Sequence, residues 1–577
     1  MRPALRLHES VFYLLSWRFL HAPRFKLPPF FFPYTGTARS VRVKDSFRKS
    51  MSWLHTWCGL FCGWLLCAIF LTGALSVFRE PITRWMQAKP LLPVVMSSNA
   101  MDQASAYLAA KAPHALSWKV DLPRRPGDAM QLAWKTDDGS RHNVSMDPGT
   151  GALLEQPWGR TTQGGRHFMA FHYMLHGGLP GYWLVGFLSM GMLVTLVSGV
   201  VVHKRIFKDF FTFRPGKGQR SWLDAHNATA VLSLPFLFMI VYTGLSVFYV
   251  SYMPWPMEAA YGGKDAYEQY QTELALKPPP LAPRLPSRQA AALPDLAALQ
   301  ARANSLMRRP ALNMTVDLPG DAQQRVRFDA RSTEGDSSSD LLNHARSVTF
   351  DGATGAVLQL EGAQHDVGYA GKFSHEAMEQ LHLAHFGGWT VKWLYFVGGL
   401  MGTAMMATGT ILFYVKRRKK SELEFGAATA TVYRLIEACN VAALAGTALA
   451  CIVYFYANRL LPDTWDSRAL WEVRAFLLTW LASLLHALVR TFLSSPRLAW
   501  LDQLWTTALL CLALPLLNWA TTGQHLGRYL ANGDGQGAAV ELTAMAFGLA
   551  FACMARQVGN TVQAAPVRKA NRPAPAR

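Results

Sequence analysis

The chain has 577 residues, of which 51% are hydrophobic, 12% aromatic and only 16% charged. Soluble domains carry about 25% charged residues, so this composition excludes an entirely soluble protein as well as the disordered, collagen-like and disulfide-scaffold classes. The formal net charge of +20 first suggests a nucleic-acid partner. The basic residues cluster beside apolar segments, however, which is typical of orientation signals in a membrane protein, and we expect no nucleic-acid partner.

Eight segments are apolar over about the 20 residues that a helix needs to cross the hydrocarbon core of a lipid bilayer. The sixth and eighth are less regular, because the sixth contains Glu472 and Arg474 and the eighth contains Glu541. The predicted spans are Trp53–Phe78, Trp183–Val202, Thr229–Val250, Thr390–Val415, Val432–Tyr456, Leu470–Val489, Trp500–Trp519 and Ala538–Met554.

The loops alternate in charge along the chain. Ten Lys and Arg residues precede the first span, and basic clusters also follow spans two, four, six and eight. Since basic loops face the cytoplasm, we predict a multi-pass protein of the bacterial inner (plasma) membrane with both termini cytoplasmic. The long polar segments, about 80–170 and 252–380, then lie in the periplasm.

Spans one and three match in register. His55 and Thr72 are 17 residues apart in the first, and His226 and Thr243 are 17 residues apart in the third, each Thr being followed by Gly. Spans two and four match as well. His172 lies 27 residues before Gly199, and His382 lies 27 residues before Gly409.

The polar segments repeat too. Asp147 to Gly151 and Asp351 to Gly355 are equivalent Asp/Gly turns between alternating strand patterns. The predicted fold is therefore an integral-membrane all-α bundle of about eight transmembrane helices, with a duplicated core and two small α+β periplasmic domains. The predicted parts are a basic N-terminal segment (1–50), a first repeat (51–203), a cytoplasmic loop (204–222), a second repeat (223–420), a four-span C-terminal extension (430–556) and a cytoplasmic tail (557–577).

A histidine at the edge of a span is costly unless it has a partner or a function. Parallel repeats pack about an axis along the membrane normal, so equivalent residues face each other. Two neutral imidazoles that face each other across about 4 Å match the axial ligands of a b-type haem. We therefore predict two haems, one held by His55 and His226 and one by His172 and His382.

Other interpretations of the histidines stay open. His176 or His385 is an alternative ligand of the outer pair, and His203 is an alternative ligand of the inner pair. Pro180 should interrupt the helix after His172, which favours a short surface helix for that residue. Small residues are expected to admit the porphyrin: Gly59, Gly63, Ala230, Gly178 and Gly388.

Several short motifs resemble those of the PepSY-associated transmembrane family. They are Leu54-His55-Thr-Trp57-Cys-Gly59, the span ends Thr72-Gly73 and Thr243-Gly244, His172 nine residues before Gly181, Asp224-Ala-His226, and Leu381-His382 with Gly387-Gly388. The resemblance covers about residues 50–420. The sequence departs from the family pattern at Ala384 and in the four extra spans.

That family includes iron-regulated inner-membrane proteins and haem-containing ferrisiderophore reductases. The resemblance implies the same four histidine ligands and electrons that cross the membrane to reduce a ferric chelate or siderophore. We therefore predict a membrane oxidoreductase of iron uptake, with quinol or a cytosolic reductase as the electron donor and no catalytic side chain assigned. The alternatives are a siderophore or solute permease and a non-catalytic PepSY-type sensor or inhibitor.

Overall fold

The computed structural model describes residues 43–90, 92–93, 99–123, 127–203, 218–263, 265–273, 281–330, 347–361, 370–425 and 429–560. Contacts divide the chain into two compact units, Met1–Ser50 and Met51–Arg577, and the description below concerns the second. Most of the predicted N-terminal segment (1–42), most of the loop after span two (204–217) and the end of the tail (561–577) lie outside the described residues.

Eight helices of the described chain are long and apolar enough to cross a membrane, as predicted. Span five combines two α-helical parts around a π-helical turn, Ala442–Gly446. The spans are Val43–Ser76, Gly178–Val202, Gln219–Val247, Gly388–Phe425, Ala430–Leu460, Arg468–Leu493, Pro496–Thr522 and Gly535–Asn560. The chain is a multi-pass membrane protein, and the predicted fold class is confirmed.

Short helices connect the spans on one side of the bundle. Pro180 lies in the first turn of span two, where its missing N–H costs nothing. The helix before it ends at Leu175, whose backbone is left-handed, so His172 lies on a separate short helix. The short helices are Arg79–Gln87, Ala100–Lys111, Arg166–Met174, Tyr249–Tyr252, Trp255–Tyr261, Ala266–Glu273, Leu296–Met307, Ala370–Leu383 and Leu526–Ala531.

The two polar segments form one antiparallel sheet of seven strands. The strands are β1 (Ser117–Asp121), β2 (Met130–Lys135), β3 (Arg141–Met146), β4 (Asn313–Asp317), β5 (Arg325–Asp329), β6 (Ser347–Asp351) and β7 (Val357–Glu361). Their order is β3-β2-β1-β4-β5-β6-β7. Both small α+β units are present, but they share a sheet through β1 and β4, which pair from Ser117 with Asp317 to Asp121 with Asn313.

The sheet has its own apolar core. Alternating residues of β1, β2, β4 and β5 are buried beneath the helices Ala100–Lys111 and Leu296–Met307, as in Trp118, Leu132 and Phe328. The repeated turns also match. The backbone carbonyl oxygens of Asp147 and Asp351 each accept a hydrogen bond from the backbone N–H of the glycine four residues later, at 2.8 Å. Those glycines, Gly151 and Gly355, have positive φ angles of 72° and 69°, which glycine adopts without steric cost.

The C-terminal extension docks on the duplicated core through buried polar groups. The Arg459 guanidinium lies 3.8 Å above the Trp85 ring and donates to the Trp85 carbonyl at 2.7 Å. Thr162 donates to Glu472 at 2.6 Å, and Arg468 also donates to Glu472, at 2.7 Å. The charge that makes span six irregular in sequence is therefore paired where the extension meets the core.

Candidate functional site

His55 and His226 face each other at the end of the bundle away from the sheet. Their ring centroids are 6.3 Å apart, with an interplanar angle of 63°. His55 lies on span one, and its Nδ1 is 2.9 Å from the carbonyl oxygen of Thr195 on span two. His226 lies on span three, and its Nδ1 is 2.9 Å from the carbonyl oxygen of Met405 on span four. Each ring is thus held by the partner span of its own repeat.

His172 and His382 face each other at the sheet side of the bundle. Their ring centroids are 6.1 Å apart, with an interplanar angle of 27°. They lie on the short helices that precede spans two and four. His172 Nδ1 is 2.8 Å from the Ile69 carbonyl on span one, and His382 Nδ1 is 3.0 Å from the Ile240 carbonyl on span three. The duplication therefore brings together both predicted pairs.

A glycine on the opposite helix lies beside each of the four rings. A Cβ placed on the glycine would lie 2.6 to 3.1 Å from a ring atom, well inside ordinary van der Waals contact of about 3.5–4.0 Å. Each glycine lies four residues after the residue whose carbonyl accepts the Nδ1 proton. The pairs are Gly73 with His172, Gly199 with His55, Gly244 with His382 and Gly409 with His226.

The hydrogen bonds select one tautomer. A carbonyl oxygen only accepts, so Nδ1 of each ring carries the proton and Nε2 keeps its lone pair. Within the described chain, every hydrogen bond of these four rings is made by Nδ1. Burial lowers the pKa of His172, and it lowers the pKa of His382 to about 3. Both outer rings are therefore neutral at physiological pH and have a free Nε2.

The spacing fits a shared metal. Two imidazoles that bind one metal ion through ring nitrogens, each at about 2 Å, have ring centroids about 6 Å apart. The observed separations of 6.3 and 6.1 Å meet this requirement. Metal-bound histidines also typically donate their other ring N–H to a carbonyl or carboxylate, as all four do. The residues present therefore fit two bis-imidazole iron sites of the kind found in b-type haem.

A cavity of about 460 Å³ surrounds the outer pair. Most of its lining is aliphatic or aromatic, including Phe70, Phe236 and Tyr395. Arg79 and Lys392 also line it, so the lining includes two cationic side chains. An apolar cavity with a few polar groups is typical of a cofactor site.

The alternative histidines are placed differently. His176 Nε2 is 2.9 Å from Nδ1 of His167, a buried residue that the sequence analysis did not single out, and His167 in turn stacks on Tyr454 at 4.2 Å. His385 lines the outer cavity, with Nε2 3.5 Å from an Arg79 nitrogen. His203 follows the last turn of span two, and its backbone N–H donates to the Gly199 carbonyl at 3.1 Å.

The chain is similar to known membrane proteins. The PepSY-associated TM region family matches residues 52–417, a stretch that contains all four histidines and ends before the extension. An uncharacterized protein of Pseudomonas aeruginosa is 24% identical over 335 residues, which cover 55% of this chain and 78% of that protein. With more than half of its length matched, the chain belongs to the PepSY-associated transmembrane family.

Proposed function

We propose that the protein is a haem b electron-transfer protein of the bacterial inner membrane, with both termini cytoplasmic, that reduces a ferric chelate or ferrisiderophore in iron uptake. The observation that carries the proposal is the repeated geometry of His55 with His226 and of His172 with His382. Each pair has the centroid separation of two ligands on one iron, and each ring has Nδ1 bound to a carbonyl and Nε2 free.

The side chains have distinct tasks in this proposal. Haem b supplies an iron that accepts and releases one electron. Each pair of imidazoles would hold and orient one such iron, and the carbonyl bonds to Nδ1 would increase the basicity of the ligands. The apolar side chains around the outer pair exclude water and thereby adjust the reduction potential.

The acceptor side follows from the position of the outer pair. His172 and His382 lie on short helices outside the spans, on the side of the sheet, so a bulky chelate in the periplasm is within reach. Ferric iron is held by hard oxygen ligands, and its reduction to Fe(II) weakens that hold. One electron is therefore sufficient to release iron from the chelate. The electrons come either from quinol or from a cytosolic reductase, and the reductase would dock on the basic inner face.

Haem binding is tested by spectroscopy of protein purified from haem-replete cells. We expect a b-type spectrum after dithionite reduction and two haems per chain by the pyridine haemochrome method. His55→Ala and His382→Ala should each reduce the haem content by about half. His114→Ala, at an exposed position before β1, is the matched control and should retain both haems.

Reduction of the substrate is a separate measurement. Dithionite-reduced protein, freed of excess reductant, should reoxidise when a ferric siderophore is added and should release Fe(II) to a ferrous chelator. A haem-free preparation would refute the proposal. A haem-containing protein that no ferric chelate reoxidises would refute the iron-reductase part alone.

A further inference from the structure

A second cavity, of about 400 Å³, lies where the extension meets the duplicated core. It is bounded by spans one, four, five, seven and eight and by the helix Arg79–Gln87. Its walls are almost entirely apolar and rich in aromatic rings. Phe78 stacks nearly parallel to Trp389, with centroids 6.1 Å apart and an interplanar angle of 10°, and its centroid lies 4.8 Å from that of Trp393.

This cavity is one helix away from the outer histidine pair. Leu71 and Leu75 of span one line it, and they flank Gly73, on which the His172 ring rests. Residues two apart in an α-helix point to nearly opposite sides, because each residue advances the helix by about 100°. The cavity and the outer pair therefore lie on opposite sides of span one, separated by about 10 Å, the diameter of a helix.

A buried carboxylate lies behind the sheet-side end of this cavity. Ile82 lines the cavity, and Trp85, one turn further along the same helix, donates to Glu541 Oε1 at 3.4 Å. Asn518 donates to the same oxygen at 2.7 Å. The other oxygen, Oε2, is buried and has no hydrogen-bond partner within the described part of the chain. Such a group is costly in a membrane protein unless it has a function.

Asn518 links the carboxylate to a polar cavity. Asn518 also donates to the Tyr529 hydroxyl at 3.0 Å, and that hydroxyl donates to Gln524 at 2.9 Å. Tyr529 and Gln524 line a polar cavity of about 550 Å³, which the sheet and the helix Arg79–Gln87 also bound. Hydrogen bonds from Asn518 thus link Glu541 to a polar cavity on the sheet side.

We propose that the apolar cavity binds an isoprenoid quinol that donates electrons to the haem pair, an inference that rests on the proposed function. The aromatic side chains of the wall give a flat quinol ring a surface on which to stack, and the isoprenoid tail suits the surrounding lipid. A phospholipid chain would fill the apolar space but would use neither the carboxylate nor the proximity to His172. The location within the bundle favours a membrane-soluble donor over a cytosolic protein.

The reaction balances with the groups named. Oxidation of the quinol breaks its two O–H bonds and yields quinone, two electrons and two protons. Two haem irons held by His55 with His226 and by His172 with His382 would each take up one of these electrons. The two protons pass to water at the sheet side, where the polar cavity lies.

A cavity-filling substitution tests the site. Ala544 of span eight lines the cavity, whereas Ala546 of the same helix is exposed, so Ala544→Trp and Ala546→Trp differ only in where the indole points. Purified protein is mixed anaerobically with decylubiquinol or a short-chain menaquinol, and haem reduction is followed by absorbance. Ala544→Trp should slow reduction by about tenfold or more, a loss of at least about 1.4 kcal/mol in binding, and Ala546→Trp should match the wild type. The dithionite spectrum should be the same in all three.

Direct binding gives a readout that does not depend on haem. An azidoquinone photoprobe should label peptides of span five or span eight in the wild type and in Ala546→Trp but not in Ala544→Trp. If dithionite reduces the haems and neither quinol does, the inference is overturned while the proposed function stands. The inference is also overturned if the photoprobe labels only other spans, or if it labels Ala544→Trp and Ala546→Trp equally. If the protein contains no haem yet the photoprobe labels span five or span eight, the proposed function fails and the quinone site stands as a binding site.

Discussion

Replacing Gly244 by alanine tests how closely the His382 ring must approach span three. The new Cβ would lie 2.7 Å from His382 Cε1, whereas carbon atoms normally approach to about 3.5–4.0 Å. The ring must therefore move by about 1 Å. The Nδ1 bond to the Ile240 carbonyl is 3.0 Å long, so the displacement takes it beyond the usual limit of about 3.2 Å.

Loss of such a supporting hydrogen bond typically lowers metal affinity by about 10–100-fold. We expect Gly244→Ala to lose haem from the outer site during dilution and gel filtration, while the inner site stays loaded, so that haem content falls towards half. Gly409→Ala, whose Cβ would lie 3.1 Å from His226 Cε1, should have a smaller effect on the inner site. Pyridine haemochrome titration of the eluted protein measures both.

Gly559→Ala is the matched control, because a Cβ there has no heavy atom within 4 Å. It should retain two haems per chain. If Gly244→Ala also retains two haems and loses haem to apomyoglobin at an unchanged rate, the prediction is wrong. Close contact of the His382 ring with span three would then not be needed to hold the outer cofactor.

Three further predictions concern stability. Arg468→Ala leaves the buried carboxylate of Glu472 without its ion-pair partner and should lower the free energy of unfolding by about 3–5 kcal/mol. Arg474→Ala, at an exposed position of the same helix, is the control and should change the free energy of unfolding by no more than about 0.5 kcal/mol. Equal melting temperatures of the two variants in detergent would contradict the prediction. Burial lowers the pKa of His167 in the folded protein well below 6.5. Below about pH 6.5 this imidazole therefore binds a proton in the unfolded chain but not in the folded protein. The free energy of unfolding then falls by up to about 1.4 kcal/mol per pH unit. His167→Gln should flatten a plot of melting temperature between pH 7.5 and 5.5, and an unchanged slope would count against this. Val316→Pro in β4 removes a backbone donor to β1 and should expose the region between the two halves to limited proteolysis, which an unaltered digestion pattern would refute.

Local and repeated features could be predicted from the sequence. The eight spans follow from uninterrupted apolar runs, and the pairing of His55 with His226 follows from equal spacing within two copies of one unit. The separate helix of His172 follows from Pro180. The apolar runs and Pro180 are signals within about 30 residues of sequence, and the histidine spacing is a signal that repeats in register. None of them requires knowledge of contacts between distant segments.

Contacts between distant segments could not be predicted. The glycines expected to admit the porphyrin included Gly59 and Gly63, yet a Cβ at those positions would meet Thr195 and Thr410 of spans two and four. The glycines beside the rings are instead those that mark the repeat, such as Gly73. Their Thr-Gly signal was visible, but its meaning depends on how two helices pack, and hydropathy does not encode that packing.

The docking of the extension was hidden for the same reason. Glu472 and Glu541 read as irregularities in apolar segments, because Thr162, which donates to Glu472, is 310 residues away in sequence and Trp85, which donates to Glu541, is 456 residues away. Only the assembled bundle brings these two donors to the carboxylates.

The pairing of β1 with β4 joins the two copies outside the membrane by main-chain hydrogen bonds along five residues of each strand. Carriers built from parallel repeats expose their substrate alternately by rocking one half against the other, and a shared ladder of this kind opposes such rocking. The same ladder opposes any change in the separation of the facing imidazoles of the two copies. That is a property useful for relaying electrons and poorly suited to moving a solute.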